Sequence, residues 1–206
     1  SNFLAECARL IFEGPEAKIS SLCGKDIEEV ALAGRDSEAG MDQWSPGDFK
    51  LLSNLAFEHL AELINSIESN GVWPQDLTHA RAAFLSKEEE EALDPLGFRC
   101  LLMLPALYRL WARTRLAHLE PWVDEWGTEE MYAGVSGRGA ADASYHTALV
   151  IENCNRKEEE FTGGAAYNYK FSDQIDRTLL HRILKEAGMS HTILKPYHSF
   201  LEHLKC

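Results

Sequence analysis

Acidic side chains are missing from one stretch of this chain. Residues 95–119 hold Arg99, Arg109, Arg113 and Arg115 and not one Asp or Glu. Cysteine pairing is missing too. The five cysteines, Cys7, Cys23, Cys100, Cys154 and Cys206, are odd in number, far apart and without a Cys-x-x-Cys pair. That excludes a disulfide framework or a cysteine zinc site and predicts a reducing, intracellular setting, cytoplasm or nucleus. No apolar run approaches the roughly 18 residues of a membrane span, so no membrane partner is expected. No basic segment precedes an apolar one at the start, so no secretory signal is expected. There is no nucleophile elbow and no His-Glu-x-x-His, which removes the common hydrolase signatures.

What is present is ordinary globular material. The 206 residues are 45% apolar and 10% aromatic, enough for one good-sized core and too much for a disordered chain. The net charge of −13 is uneven. Residues 1–94 carry 19 acids against 7 bases, and residues 95–206 carry 14 against 13. The whole chain is therefore unlike a nucleic-acid binder, while the acid-free stretch can form one phosphate-facing patch. The competing reading pairs these arginines with acids such as Glu120 and Asp124.

Patterning divides the chain into an extension or linker, residues 1–43, and a folded part, residues 44–206. In the first, residues 26–32 can form a short helix. In the second, Ser45 and Pro46 predict a helix start. Leu51, Leu52, Leu55, Ala56, His59, Leu60, Leu63, Ile64 and Ile67 follow at helical spacing, and Asn70-Gly71 supplies the stop. Residues 80–85 and 98–104 read as strands, the first buried. A helix opens at Pro105, turns Leu107, Leu110, Trp111, Thr114 and Leu116 inward, and ends at Pro121-Trp122. Gly134, Gly137 and Gly139 form a turn into a helix from Asp142, without a nucleotide-binding fingerprint. Residues 163–169 read as a strand. Two helices follow, one capped by Asp173 or Asp176 and one starting at Ser190. The class is α/β (α+β) and helix-rich. His181, His191, His198 and His203 form no i, i+3 or i, i+4 pair, so a shared helical metal face is not expected.

The order of these features resembles the reverse transcriptase domain of non-LTR retroelements over roughly residues 40–206. The residues that carry the likeness run from Asp42-Gln43-Trp44 and the following helix through Trp73-Pro74 to Phe84-Leu85-Ser86-Lys87. They continue with Phe98-Arg99-Cys100-Leu101-Leu102-Met103-Leu104-Pro105, with Leu107-Tyr108-Arg109-Leu110 and Arg113, and with Arg115-Leu116. Last come Tyr132-Ala133-Gly134-Val135-Ser136-Gly137-Arg138-Gly139 and Tyr167-Asn168-Tyr169-Lys170-Phe171-Ser172-Asp173-Gln174-Ile175. The resemblance implies fingers and a partial palm. It implies that Lys87 and Arg99 reach a nucleotide triphosphate, and that the helix carrying Arg109, Arg113 and Arg115 lies by an RNA or RNA–DNA backbone. Phosphate suits such positions because Arg offers it a planar fork of donors.

The same resemblance shows where the pattern breaks. The family holds two Mg²⁺ ions on three aspartates. With Asp173 as the aspartate of the motif, the position of the first metal ligand is Tyr167, or Asn168 in a register one residue shorter. Neither supplies the anionic oxygen that a hard cation prefers. Ser172 stands where an aromatic is usual. No Asp-Asp pair occurs anywhere in the sequence. The expectation is a truncated, degenerate relative, without polymerase activity or bound cofactor as this chain. A palm cut short also leaves a strand edge that favours self-association.

Overall fold

The computed structural model describes residues 11–87, 97–167 and 174–206. Among them lie α1 (Gly24–Ala33), α2 (Pro46–Phe49), α3 (Asn54–Asn70) and a 3₁₀ turn (Gln75–Thr78). Strands β1 (Arg81–Ser86) and β2 (Phe98–Met103) come next. Then follow α4 (Ala106–Trp126), α5 (Ala140–Lys157), α6 (Arg177–Glu186) and α7 (His191–His203). The arrangement is helix-rich, with one two-stranded antiparallel sheet among the described residues.

The core forms where α1, α3, α4 and α7 meet. Ile27 and Ala31 come from α1, Phe57, Ala61, Ile64 and Ile67 from α3, Leu107, Tyr108, Leu110 and Trp111 from α4, and Ile193 and Phe200 from α7. Trp73 sits among them, with the rings of Tyr108 and Trp111 each 5.2 Å away and Phe200 at 5.7 Å. Its indole N–H donates to the Pro196 carbonyl at 2.9 Å, so the ring is buried without an orphaned donor. Such aromatic contacts add about 0.5–1.5 kcal/mol each beyond their buried area. Residues 22–33, expected in the extension, supply Leu22, Ile27 and Ala31 to this same core.

Several local expectations are corrected. Ser45 and Pro46 do start a helix, but α2 lasts only to Phe49. The long helix starts afresh at Asn54, capped by the Ser53 side chain accepting from the Ala56 amide. It stops at Gly71, whose φ of +70° needs a residue without a Cβ. Its inward face is Phe57, Ala61, Ile64 and Glu68 rather than the leucine row: Leu55 is 66% exposed and His59 faces water beside Glu62. Leucines flank both sides of this helix, so periodicity alone left its rotation open. In α4, Leu116 is exposed and Pro121 lies inside the helix, which runs on to Trp126. Proline there costs the Ala117 carbonyl its helical partner, at a residue that is exposed to solvent. Trp122 anchors the extra turn by donating to the Ala187 carbonyl at 2.7 Å.

The strand expected at residues 163–169 is absent from its described part, residues 163–167, which are exposed and irregular. The acidic run after Lys87 lies outside the described residues. Asp176, one of the two expected aspartates, caps α6, accepting from the Leu179 amide at 2.8 Å. The chain end returns to the sheet: Lys205 pairs with His79 in an isolated parallel bridge just before β1.

Candidate nucleic-acid interface

The two strands form a hairpin in which Arg81 faces Met103, Ala83 faces Leu101 and Leu85 faces Arg99. The ladder extends one step further, with the Lys87 amide donating to the Gly97 carbonyl at 2.9 Å. Side chains alternate along a strand and share a face with their direct partners. Arg81, Lys87 and Arg99 therefore stand on one face, with Leu85, Leu101 and Met103 between them. No carboxylate stands on that face among residues 81–87 and 97–103. Lys87 and Arg99 are diagonal neighbours, about 7–8 Å apart at the backbone. The opposite face carries Ala82, Phe84, Ser86, Phe98, Cys100 and Leu102 and is apolar except for Ser86. Neither face is covered: Phe84 is 66% exposed and Leu101 49%. The expectation of a buried first strand is thus corrected: Arg81 and residues 84–86 are exposed, and Ala82 and Ala83 are half-buried.

Sequence alone brought Lys87 and Arg99 forward. It passed over Arg81, although Arg81 and Lys87 are six residues apart and so share a face of any strand.

The three arginines of α4 separate. Arg113 is exposed. Arg109 is half-buried and bound to the chain before α2, donating to the Ser37 hydroxyl at 2.9 Å and the Glu38 carbonyl at 2.8 Å. Arg115 is only 1% exposed and faces the core. Its Nε donates to Glu68 Oε1 at 2.7 Å and its Nη2 to Glu68 Oε2 at 2.5 Å. Nη1 donates to the Ser20 carbonyl at 2.8 Å, and the Trp111 indole shares Glu68 Oε1 at 2.8 Å. Arg115 therefore cannot face a phosphate backbone: its fork is filled by protein. The pairing idea was right for this arginine, but the partner is Glu68 on another helix, not Glu120 or Asp124.

Asp42 has a structural use. Its Oδ2 accepts from the Ala106 amide at 2.7 Å, capping α4 from 64 residues away. Pro105, at the cap position, has no side chain able to do this. Gly40 permits the approach, since a Cβ there would lie 2.7 Å from the Leu104 carbonyl.

Of the residues expected near the metal position, Tyr167 is described and is 87% exposed. Asn168 and Asp173 lie outside the described residues. Among the described residues, no group of three or more His, Cys, Asp or Glu side chains is placed to hold a metal ion. Nor is any described helix long and apolar enough to cross a membrane.

Two of the late histidines meet across helices, which sequence spacing does not reveal. The rings of His181 on α6 and His198 on α7 are 4.2 Å apart. His198 also approaches Glu202 at 3.4 Å. Burial, with help from His198 and Lys185, holds the His181 pKa below its ordinary value. No family model matches the chain, and no curated protein matches it.

Proposed function

We propose that this chain is a reverse transcriptase-like fragment from a retroelement. In this reading it contacts RNA or an RNA–DNA hybrid through the cationic face of its hairpin, and these 206 residues alone do not polymerise DNA. The observation that carries the reading is the shared face of Lys87 and Arg99. The resemblance assigns these two residues to one triphosphate, and the antiparallel register sets them side by side at one end of the hairpin. Arg81 extends the same face, and phosphate oxygens spaced along a backbone suit a row of fixed cations. The inactivity rests on chemistry: with Tyr167 or Asn168 at the first ligand position and no Asp-Asp pair, too little anionic oxygen is present to hold two divalent ions.

The test is equilibrium binding to an RNA–DNA hybrid over a range of salt concentrations. Contacts to phosphates make affinity fall steeply as salt rises. Absent or salt-independent binding removes the proposal.

A second reading has its own observation. The other hairpin face exposes Phe84 and Leu102 to solvent, and an apolar hairpin surface of this kind favours association. On this reading the chain self-associates through the hairpin. A monodisperse monomer in sizing experiments, unchanged by Phe84→Lys, counts against it.

A further inference from the structure

A second cationic site shares no residue with the hairpin. A cavity of about 180 Å³ opens between the end of α1, the start of α2 and the first turns of α4. Arg35, Arg109 and Arg113 line it, and no carboxylate does. In a chain of net charge −13, three guanidinium groups around one small cavity without an acid is an unusual concentration of charge. Of the neighbouring acids, Asp36 is engaged by Lys50 at 3.2 Å, and Asp42 accepts from the amide of Ala106, a lining residue, at 2.7 Å. Arg35 and Arg113 make no hydrogen bond or ion pair with any described residue, while Arg109 is held in place by the Ser37 hydroxyl and the Glu38 carbonyl. The floor is apolar: Val30, Ala31, Phe49 and Leu110.

Gly34 shapes the site. Its backbone, at φ −66°, is one any residue can adopt, so its use lies in what it lacks. A Cβ there would meet Arg113 Nη1 at 3.0 Å. The missing side chain leaves room for the guanidinium at the cavity rim.

We propose that this cavity binds a small phosphate monoester, with the dianionic phosphate held by Arg35, Arg109 and Arg113 and a compact organic group on the apolar floor. Three cations exceed what one singly charged phosphodiester needs and match a dianion with three terminal oxygens. The half-enclosed shape with an apolar base suits a small molecule better than a continuous nucleic-acid strand. This inference does not rest on the polymerase reading, and it uses none of the hairpin residues.

The probe is phenyl phosphate, titrated into the full chain by calorimetry. Saturable binding is expected, and each of Arg35→Gln and Arg113→Gln should weaken it about tenfold, the usual cost of a lost charge-assisted hydrogen bond. Arg99→Gln should leave it unchanged. Inorganic phosphate should compete, and an oligonucleotide carrying only internal phosphodiesters should not. Both arginines are exposed, so neither substitution disturbs the core; circular dichroism checks this. Should a variant nevertheless misfold, the wild-type chain decides: amide resonances of Gly34 and Arg113 should shift on titration. No saturable binding, unshifted resonances, wild-type affinity in both variants, or displacement by the oligonucleotide would each overturn the proposal. The last outcome would assign these arginines to a nucleic-acid backbone instead.

Discussion

Glu68 on α3 and Arg115 on α4 are joined inside the core by a two-point ion pair, at 2.7 and 2.5 Å, across 47 residues of sequence. Both side chains are almost wholly excluded from water. Removing two charges from water costs several kcal/mol each, and only close geometry with full hydrogen bonding offsets it. Here the remaining donors are satisfied by Ser20 and the remaining acceptor demand by Trp111. The pair fixes how α3 and α4 face one another, and it takes Arg115 out of any binding surface.

Breaking that pair from one side should be costly. Arg115→Met leaves Glu68 charged and buried, and about 3–5 kcal/mol of stability should be lost. Arg113→Gln, two residues earlier on the exposed side, should change stability by about 0.5 kcal/mol or less. Urea unfolding of the two variants measures the contrast. Equal midpoints would show that Arg115 does not have the partner assigned to it.

Asp42 should matter through the helix it caps. Asp42→Ala removes the acceptor of the Ala106 amide and should cost about 1 kcal/mol. Asp42→Asn keeps a carbonyl oxygen at the same place and should retain most of that stability. Thermal melts of the two variants separate capping from charge.

The His181–His198 contact sets a pH response. The His181 pKa lies below its ordinary value of 6.5, first from burial, then from His198 and Lys185, with Glu202 opposing and His191 adding slightly. A histidine whose folded pKa is depressed stabilises the fold above its unfolded pKa. That contribution is lost as pH falls through the folded value. Melting temperatures measured from pH 7 downward should therefore fall more for the wild-type chain than for His181→Leu. Parallel curves would show that His181 does not titrate against the fold.

Much of the framework was legible in the residues. The stop at Gly71, the strands at residues 81–86 and 98–103, the start of α4 after Pro105 and the start of α7 after Ser190 all follow from local chemistry. Three things were not. The rotation of α3 depends on its packing against α1, a contact that no periodicity within α3 records. The extra turn of α4 beyond Pro121 depends on Trp122 finding the Ala187 carbonyl 65 residues away. And the fate of the arginines depends on tertiary partners: Arg113 and Arg115 differ by two positions in sequence, yet Arg113 is exposed and Arg115 buried. Arg35, which joins Arg109 and Arg113 at one cavity, sat in a segment read as linker.

Polymerase activity should be absent from these residues. Primer extension on an RNA template with Mg²⁺ or Mn²⁺ should yield no product. Product that disappears on Asp173→Ala would show that the metal position works despite Tyr167.

The most direct measurement is the salt dependence of hybrid binding for the wild-type chain beside the double variant Lys87→Gln, Arg99→Gln. Each phosphate contact contributes about 0.9 to the slope of log affinity against log salt. The account expects binding to weaken and the slope to become shallower by about 1 to 2 in the double variant. An unchanged slope and affinity would contradict it, because the shared hairpin face of Lys87 and Arg99 would then have no part in holding nucleic acid.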